Sequence, residues 1–196
     1  MKKTILASLA LSAALFASAQ TEVLKLTMAD GTEHTFSVAD VREMTFETLA
    51  EPTMAEKFAG AYTGSQSLTV GGMWTYSTTI TCTLTAEADG TLTASFPEYT
   101  LPGTQMGDLT LGALTITGLE YDEAQGGFYR NYGGQGLTQH FYSETNGTPG
   151  FNQDYPLNDP SSILIVADGE NGIKITNPFK LGAMPFPLEA KFEGSK

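Results

Sequence analysis

Trp74, Tyr76, Phe96 and Tyr99 are the residues of this chain whose types and placement offer a chemistry. Indole and phenol rings combine a broad apolar face with a polar edge. Gathered at one place, they suit a mostly apolar ligand that carries one or two hydrogen-bonding groups. Tyr129, Arg130 and Tyr132 could add a cation and two hydroxyls to such a site. The plainer accounts are that the first four rings fill a core and that Arg130 stacks on tyrosine at a strand end.

Catalytic and metal chemistry find little support. The two histidines, His34 and His140, fall in different parts of the chain. No Gly-x-Ser-x-Gly elbow and no His-x-x-x-His pair occurs. Asp168-Gly169-Glu170-Asn171-Gly172 is rich in oxygen ligands, yet lacks the length and terminal bidentate acid of a calcium loop, and reads as a hairpin turn. Cys82, the only cysteine, stands between Ile80 and Leu84 without a neighbouring base or cation, so it reads as a small core residue. The expectation is a non-enzyme with no catalytic residue, no cofactor and no metal.

The elements that position the aromatics can be read from alternation. In the stretch Trp74–Ala86, Trp74, Tyr76, Ile80, Cys82, Leu84 and Ala86 hold even positions, while Thr or Ser fills every odd one. Successive strand side chains point to opposite faces, so this is one apolar wall and one hydroxylated wall. Leu92, Ala94 and Phe96 continue the apolar wall after Glu87-Ala88-Asp89-Gly90-Thr91. Keeping both halves on one face requires a three-residue loop, Ala88-Asp89-Gly90, with Gly90 left-handed. The pairing is then Ala86–Leu92, Leu84–Ala94 and Cys82–Phe96. Trp74, Tyr76, Phe96 and Tyr99 fall toward the end of this hairpin opposite Gly90.

The rest of the chain supplies more of the same. Lys2 and Lys3, the apolar run Ile5–Phe16 and Ala17-Ser18-Ala19 form a secretory signal peptide over residues 1–19. The apolar run is shorter than the ~20 residues that span a bilayer. Gln20 stands where a lipid-anchored product would need cysteine, so a periplasmic or secreted protein without a lipid anchor is expected. Residues 20–50 form an N-terminal unit, in which Leu24 pairs with Phe36 and Met28 with Thr32 around Ala29-Asp30-Gly31, and Val41–Phe46 adds a short strand. A domain boundary near Ala50 is followed by one helical turn, Met54–Phe58, capped by Thr53.

Residues 51–196 read as one domain of about eight strands. The first is Tyr62–Val70, and a one-residue phase shift at Gly112-Ala113 marks a β-bulge. Phe128–Tyr132 and Leu137–Tyr142 form a hairpin around Gly133-Gly134, and residues 143–160 are a loop. Ile163–Ala167 pairs with Ile173–Thr176. A last strand carries Met184, Phe186, Leu188, Ala190 and Phe192 on one wall, with Pro185 and Pro187 marking an edge or seam at its start. Hairpin-linked strands without crossover helices close into barrels or stack as sandwiches.

The formal charge of −12 rests on 22 acidic against 10 basic side chains. With no basic run to offset it, this excludes nucleic acid and anionic lipid as natural partners. A membrane-spanning barrel would need an apolar outward band, whereas the outward wall here is Thr and Ser.

Phe58-Ala59-Gly60-Ala61-Tyr62-Thr63-Gly64, the Thr-rich hairpin with its Ala-Asp-Gly-Thr turn, Gly107-Asp108-Leu109-Thr110-Leu111, and Met184-Pro185 with Phe192-Glu193-Gly194 resemble the secreted calycin-like β-barrel proteins of gut-dwelling Gram-negative bacteria. Residues 22–46 are similar to a short β-rich leader found on exported proteins of those bacteria. The resemblance implies an all-β fold, an eight-stranded antiparallel up-and-down barrel related to lipocalins, after a small hairpin unit. Gly60-Ala61-Tyr62 carries Tyr where lipocalins carry Trp, which separates the chain from true lipocalins. The expected function is binding of a small, mostly apolar molecule in the barrel mouth by Trp74, Tyr76, Phe96, Tyr99, Tyr129, Arg130 and Tyr132. The alternative is a side-chain-filled barrel that engages an unknown protein partner or acts as an inhibitor through loops 99–107 and 143–160.

Overall fold

The computed structural model describes residues 22–43, 51–145 and 147–196. The expected signal peptide, residues 44–46 of the short strand and Asn146 lie outside them. The described residues divide between two compact units with the boundary at Ala50/Glu51.

The first unit is a two-stranded antiparallel sheet of β1 (Val23–Thr27) and β2 (Glu33–Ser37), followed by a 3-10 turn at Val38–Asp40. Leu24 pairs with Phe36, and Met28 donates its N–H to Thr32 O at 2.7 Å. Both contacts follow from keeping apolar residues on one face.

The second unit opens with α1 (Met54–Phe58). Thr53 Oγ1 accepts from Glu56 N at 3.2 Å, and Glu56 Oε2 accepts from Thr53 N at 2.6 Å. This reciprocal box supplies partners that so short a helix lacks. The strands that follow are β3 (Gly60–Val70), β4 (Trp74–Ala86), β5 (Leu92–Phe96), β6 (Tyr99–Thr104), β7 (Gly107–Leu111), β8 (Leu114–Asp122), β9 (Gly127–Asn131), β10 (Thr138–Thr145), β11 (Thr148–Asn158), β12 (Ser162–Asp168), β13 (Gly172–Leu181) and β14 (Leu188–Ser195). Among the described residues no helix is long and apolar enough to cross a membrane.

Hydrogen bonding closes β12-β9-β8-β5-β4-β3-β14-β13 into a ring, because β13 also pairs with β12. This is an eight-stranded antiparallel barrel. The other four strands, β6, β7, β10 and β11, lie outside the closed ring. They form a second tier that joins β13 through Leu157–Leu181 and Asn158–Lys180. Along the chain each of the four continues a ring strand past a break. β5 runs into β6 across Pro97-Glu98, β7 into β8 across Gly112-Ala113, β9 into β10 across residues 132–137, and β11 into β12 across residues 159–161. The meander is therefore simple, with four of its strands each broken in two.

Three expectations are corrected by this arrangement. Phe128–Tyr132 and Leu137–Tyr142 do not pair with each other: β9 pairs with β8 and β12, and β10 with β7 and β11. Their aromatic similarity reflects two inward-facing pieces of one strand. Residues 99–107 and 143–160 are not simply loops, since β6 occupies Tyr99–Thr104, β10 extends to Thr145 and β11 occupies Thr148–Asn158. The prolines are tolerated because one side of β11 is largely open. Leu157 N–H points to Leu137 O on the β10 side, so the nitrogen of Pro156 faces the other way, where its carbonyl takes the Gly182 N–H at 2.8 Å. Finally, the last strand begins only at Leu188. Residues 182–187 turn the chain, and Phe186 is half exposed instead of sharing the core wall.

The hairpin of β4 and β5 has the register that face matching requires, with Ala86–Leu92 and Leu84–Ala94 paired. Glu87 N donates to Thr91 O at 2.9 Å, and Gly90 takes φ +85°. The outward threonines of β3 and β4 bond across the strands, Thr63 to Thr81 and Thr69 to Thr75, each at 2.9 Å.

Candidate ligand site

The interior is a stack of side-chain layers, and the strands that build them carry inward residues two positions apart. The floor is apolar. Phe58 of α1 meets the Phe128 ring edge-on at 5.2 Å, and Phe128 meets Tyr121 at 5.3 Å. Cys82 is fully buried beside this layer, and burial pushes its thiol up to about 12.

At the waist the lining changes character. Gln66, Tyr99, Tyr132, Gln139 and Asn177 share a cavity of about 20 Å³ with apolar neighbours that include Phe96, Phe179 and Phe192. That space holds about one water molecule. Tyr132 donates its hydroxyl to Asn177 Oδ1 at 2.5 Å, and Gln139 Nε2 donates to Gly112 O at 2.6 Å. Gln66 Nε2 donates to Tyr99 Oη at 3.5 Å, whereas Gln66 Oε1, buried, has no partner. Burial holds the Tyr99 and Tyr132 phenols well above the usual tyrosine range, and at Tyr99 the hydrogen bond accepted from Gln66 offsets it only in part.

One layer toward the mouth, polarity disappears again. Leu68, Val70, Leu109, Phe141, Phe151, Tyr155, Leu181 and Leu188 wall a second cavity of about 30 Å³, with Met106 and Met184 at its margin. Phe141 and Phe151 both meet the Tyr155 ring edge-on. The same strands carry both layers: Gln66 and Leu68 on β3, Leu111 and Leu109 on β7, Gln139 and Phe141 on β10, Phe179 and Leu181 on β13. At the rim Met73, Trp74, Met106 and Phe186 are exposed.

The aromatics singled out by the sequence separate accordingly. Phe96, Tyr99 and Tyr132 come together around the waist cavity. Tyr76, partly buried against the core, accepts the Gln105 N–H at 3.4 Å through its hydroxyl, and Trp74 lies at the rim with 38% of its surface exposed. Tyr129 pairs with Glu120 and Leu164 in the wall of the ring. Arg130 spans a splay between β8 and β9, donating to the Thr117 carbonyl and, at 2.6 Å, to Gln135 Oε1. Neither Tyr129 nor Arg130 lines either cavity.

Sequence reasoning missed Gln66, Gln139 and Asn177, although a signal was present. Gln66 shares parity with Tyr62, Leu68 and Val70, and Asn177 shares it with Ile175 and Phe179. A buried-parity amide among apolar neighbours needs a partner. Among the described residues no group of three or more His, Cys, Asp or Glu side chains is placed to hold a metal ion.

A comparison with curated proteins finds no match. Among solved structures, a crystal structure at 2.40 Å resolution from Bacteroides fragilis NCTC 9343, described as "a putative outer membrane protein", is similar at 22% identity and a TM-score of 0.46. The match covers 72% of this chain and 52% of that one, so the chain spans about half the length of its solved neighbour. The family model for the calycin-like β-barrel domain matches residues 58–195, and the chain belongs to that family.

Proposed function

We propose that this protein binds a small, mostly apolar molecule at the open end of its barrel, without catalysis. The observation that carries the reading is the wholly apolar compartment bounded by Leu68, Leu109, Phe141, Tyr155 and Leu188, directly inside the rim. Burying a ligand there removes apolar surface from water at roughly 25 cal/mol per Å². Met106 and Met184 at its margin are unbranched and readily repacked. As it stands the cavity holds about one water, so a ligand enters by displacing these side chains. Trp74 and Tyr76 stand on the strand that borders the entry; Phe96, Tyr99 and Tyr132 would meet the ligand's inner end. Export rests on the pattern of residues 2–19, and the acidic balance keeps nucleic acid and anionic lipid from being natural partners.

The test uses Trp74, the only tryptophan, as reporter. N-phenyl-1-naphthylamine, a neutral apolar fluorophore, should brighten on mixing with the native protein and take energy from Trp74. Met184→Trp would fill the compartment and should abolish brightening while circular dichroism stays native; that variant is followed by probe brightening alone. A probe that remains dark with the native protein overturns the reading.

A further inference from the structure

We propose that the molecule bound in the barrel is a neutral amphiphile whose inner end is a hydroxyl group, seated between Gln66 and Tyr99. This rests on the apolar-ligand reading and names the chemistry of its inner end. Gln66 is 2% exposed, and its Oε1 has no hydrogen-bond partner. An unmatched buried carbonyl is costly, and a donor arriving there recovers that cost. Tyr99 takes the Gln66 Nε2 bond through its oxygen, which leaves its proton to donate. Burial keeps that phenol protonated.

The waist therefore offers an acceptor and a donor side by side. A hydroxyl answers both, since it donates one proton and accepts through its lone pairs. An ionised carboxylate answers only one, because it accepts but cannot donate. The waist cavity has no Lys, Arg or His in its lining, so an anion would also be buried without a counter-charge. An ether accepts from Tyr99 but leaves Gln66 unmatched. The apolar body of the ligand would run outward along the Gln66-to-Leu68 and Gln139-to-Phe141 steps into the compartment near the rim.

The experiment is competition against bound N-phenyl-1-naphthylamine with three chains of similar length: nonan-1-ol, 1-methoxyoctane and nonanoate. The alcohol should displace the probe at about a tenfold lower concentration than the ether, although the ether is the more apolar, and nonanoate should be weakest. In Gln66→Leu the alcohol should lose its advantage, and the more apolar ether should displace the probe at least as well. Tyr99→Phe, which keeps the ring and removes the donor, should lower affinity for alcohol and ether alike. Equal displacement by alcohol and ether in the native protein overturns the hydroxyl assignment and leaves the apolar-ligand reading standing. Failure of the probe to bind at all overturns both.

Discussion

At the scale of single residues, the interior is set by which polar atoms have partners. Tyr132 and Asn177 form a closed pair, the hydroxyl donating to Oδ1 at 2.5 Å. Tyr132→Phe would leave that carbonyl buried and unmatched, so urea denaturation should show a loss of about 1–3 kcal/mol. Cys82 makes a different statement. Its thiol is pushed up from 9.0 to about 12 by desolvation, so the folded chain keeps a proton that the unfolded chain releases. The associated stability is complete below about pH 9 and is lost as pH rises from there toward 12. The urea midpoint should fall as pH rises from about 9 to 10.5, and the fall should be shallower in Cys82→Ala. Tyr99 and Tyr132, also raised by burial, add losses of the same sign in the range where free tyrosine ionises. A steeper fall in Cys82→Ala would contradict this account.

At the scale of elements, register was the legible part. A single face rule predicts the Ala86–Leu92 and Leu24–Phe36 pairings, because a one-residue slip would turn every apolar side chain outward. The breaks were not legible. Gly133-Gly134, Pro149-Gly150 and Pro160 look alike whether a chain reverses or only interrupts a strand and continues. Only the non-local partners of β9 and β10 decide between these, and no local pattern carries that information. Glycines show the same distinction in a measurable form. Gly90 has φ +85° with nothing near its would-be Cβ, whereas Gly107 has φ +83° and a Cβ there would lie 2.2 Å from Glu144 O. Gly90→Ala should cost about 1 kcal/mol of backbone strain. Gly107→Ala should cost clearly more, because the β7 and β10 backbones must also separate. Equal thermal shifts in the two variants would show that strain alone operates. At the floor, Thr53→Ala breaks the capping box that anchors Phe58 and should cost about 1 kcal/mol.

At the scale of the whole molecule, the barrel is closed in one tier and seamed in the other. The ring through β5, β8, β9 and β12 is completed by hydrogen bonds, and α1 packs Phe58 into its floor. In the second tier β7, β10 and β11 are joined in sequence, but β6 is not paired with β4. The Gln105 N–H donating to Tyr76 Oη, at 3.4 Å, is a polar link across that seam. On the proposed apolar-ligand reading, entry displaces Met106, which sits in the turn between β6 and β7, beside a seam held by few hydrogen bonds. Unpaired backbone on one side of β6 means that local opening breaks few hydrogen bonds, and such regions exchange well below the global unfolding free energy. Native-state hydrogen exchange should therefore show β6 and β7 opening at lower free energy than the ring portions of β3, β4, β13 and β14. Tyr76→Phe should speed exchange at the Gln105 amide and hasten N-phenyl-1-naphthylamine entry, while leaving ring amides unchanged. Protection that is uniform across both tiers would mean that the barrel opens only as a whole. The seam could not then be the ligand's way in, and entry would have to pass through the turn at 182–187, where Met184 forms the other margin of the compartment.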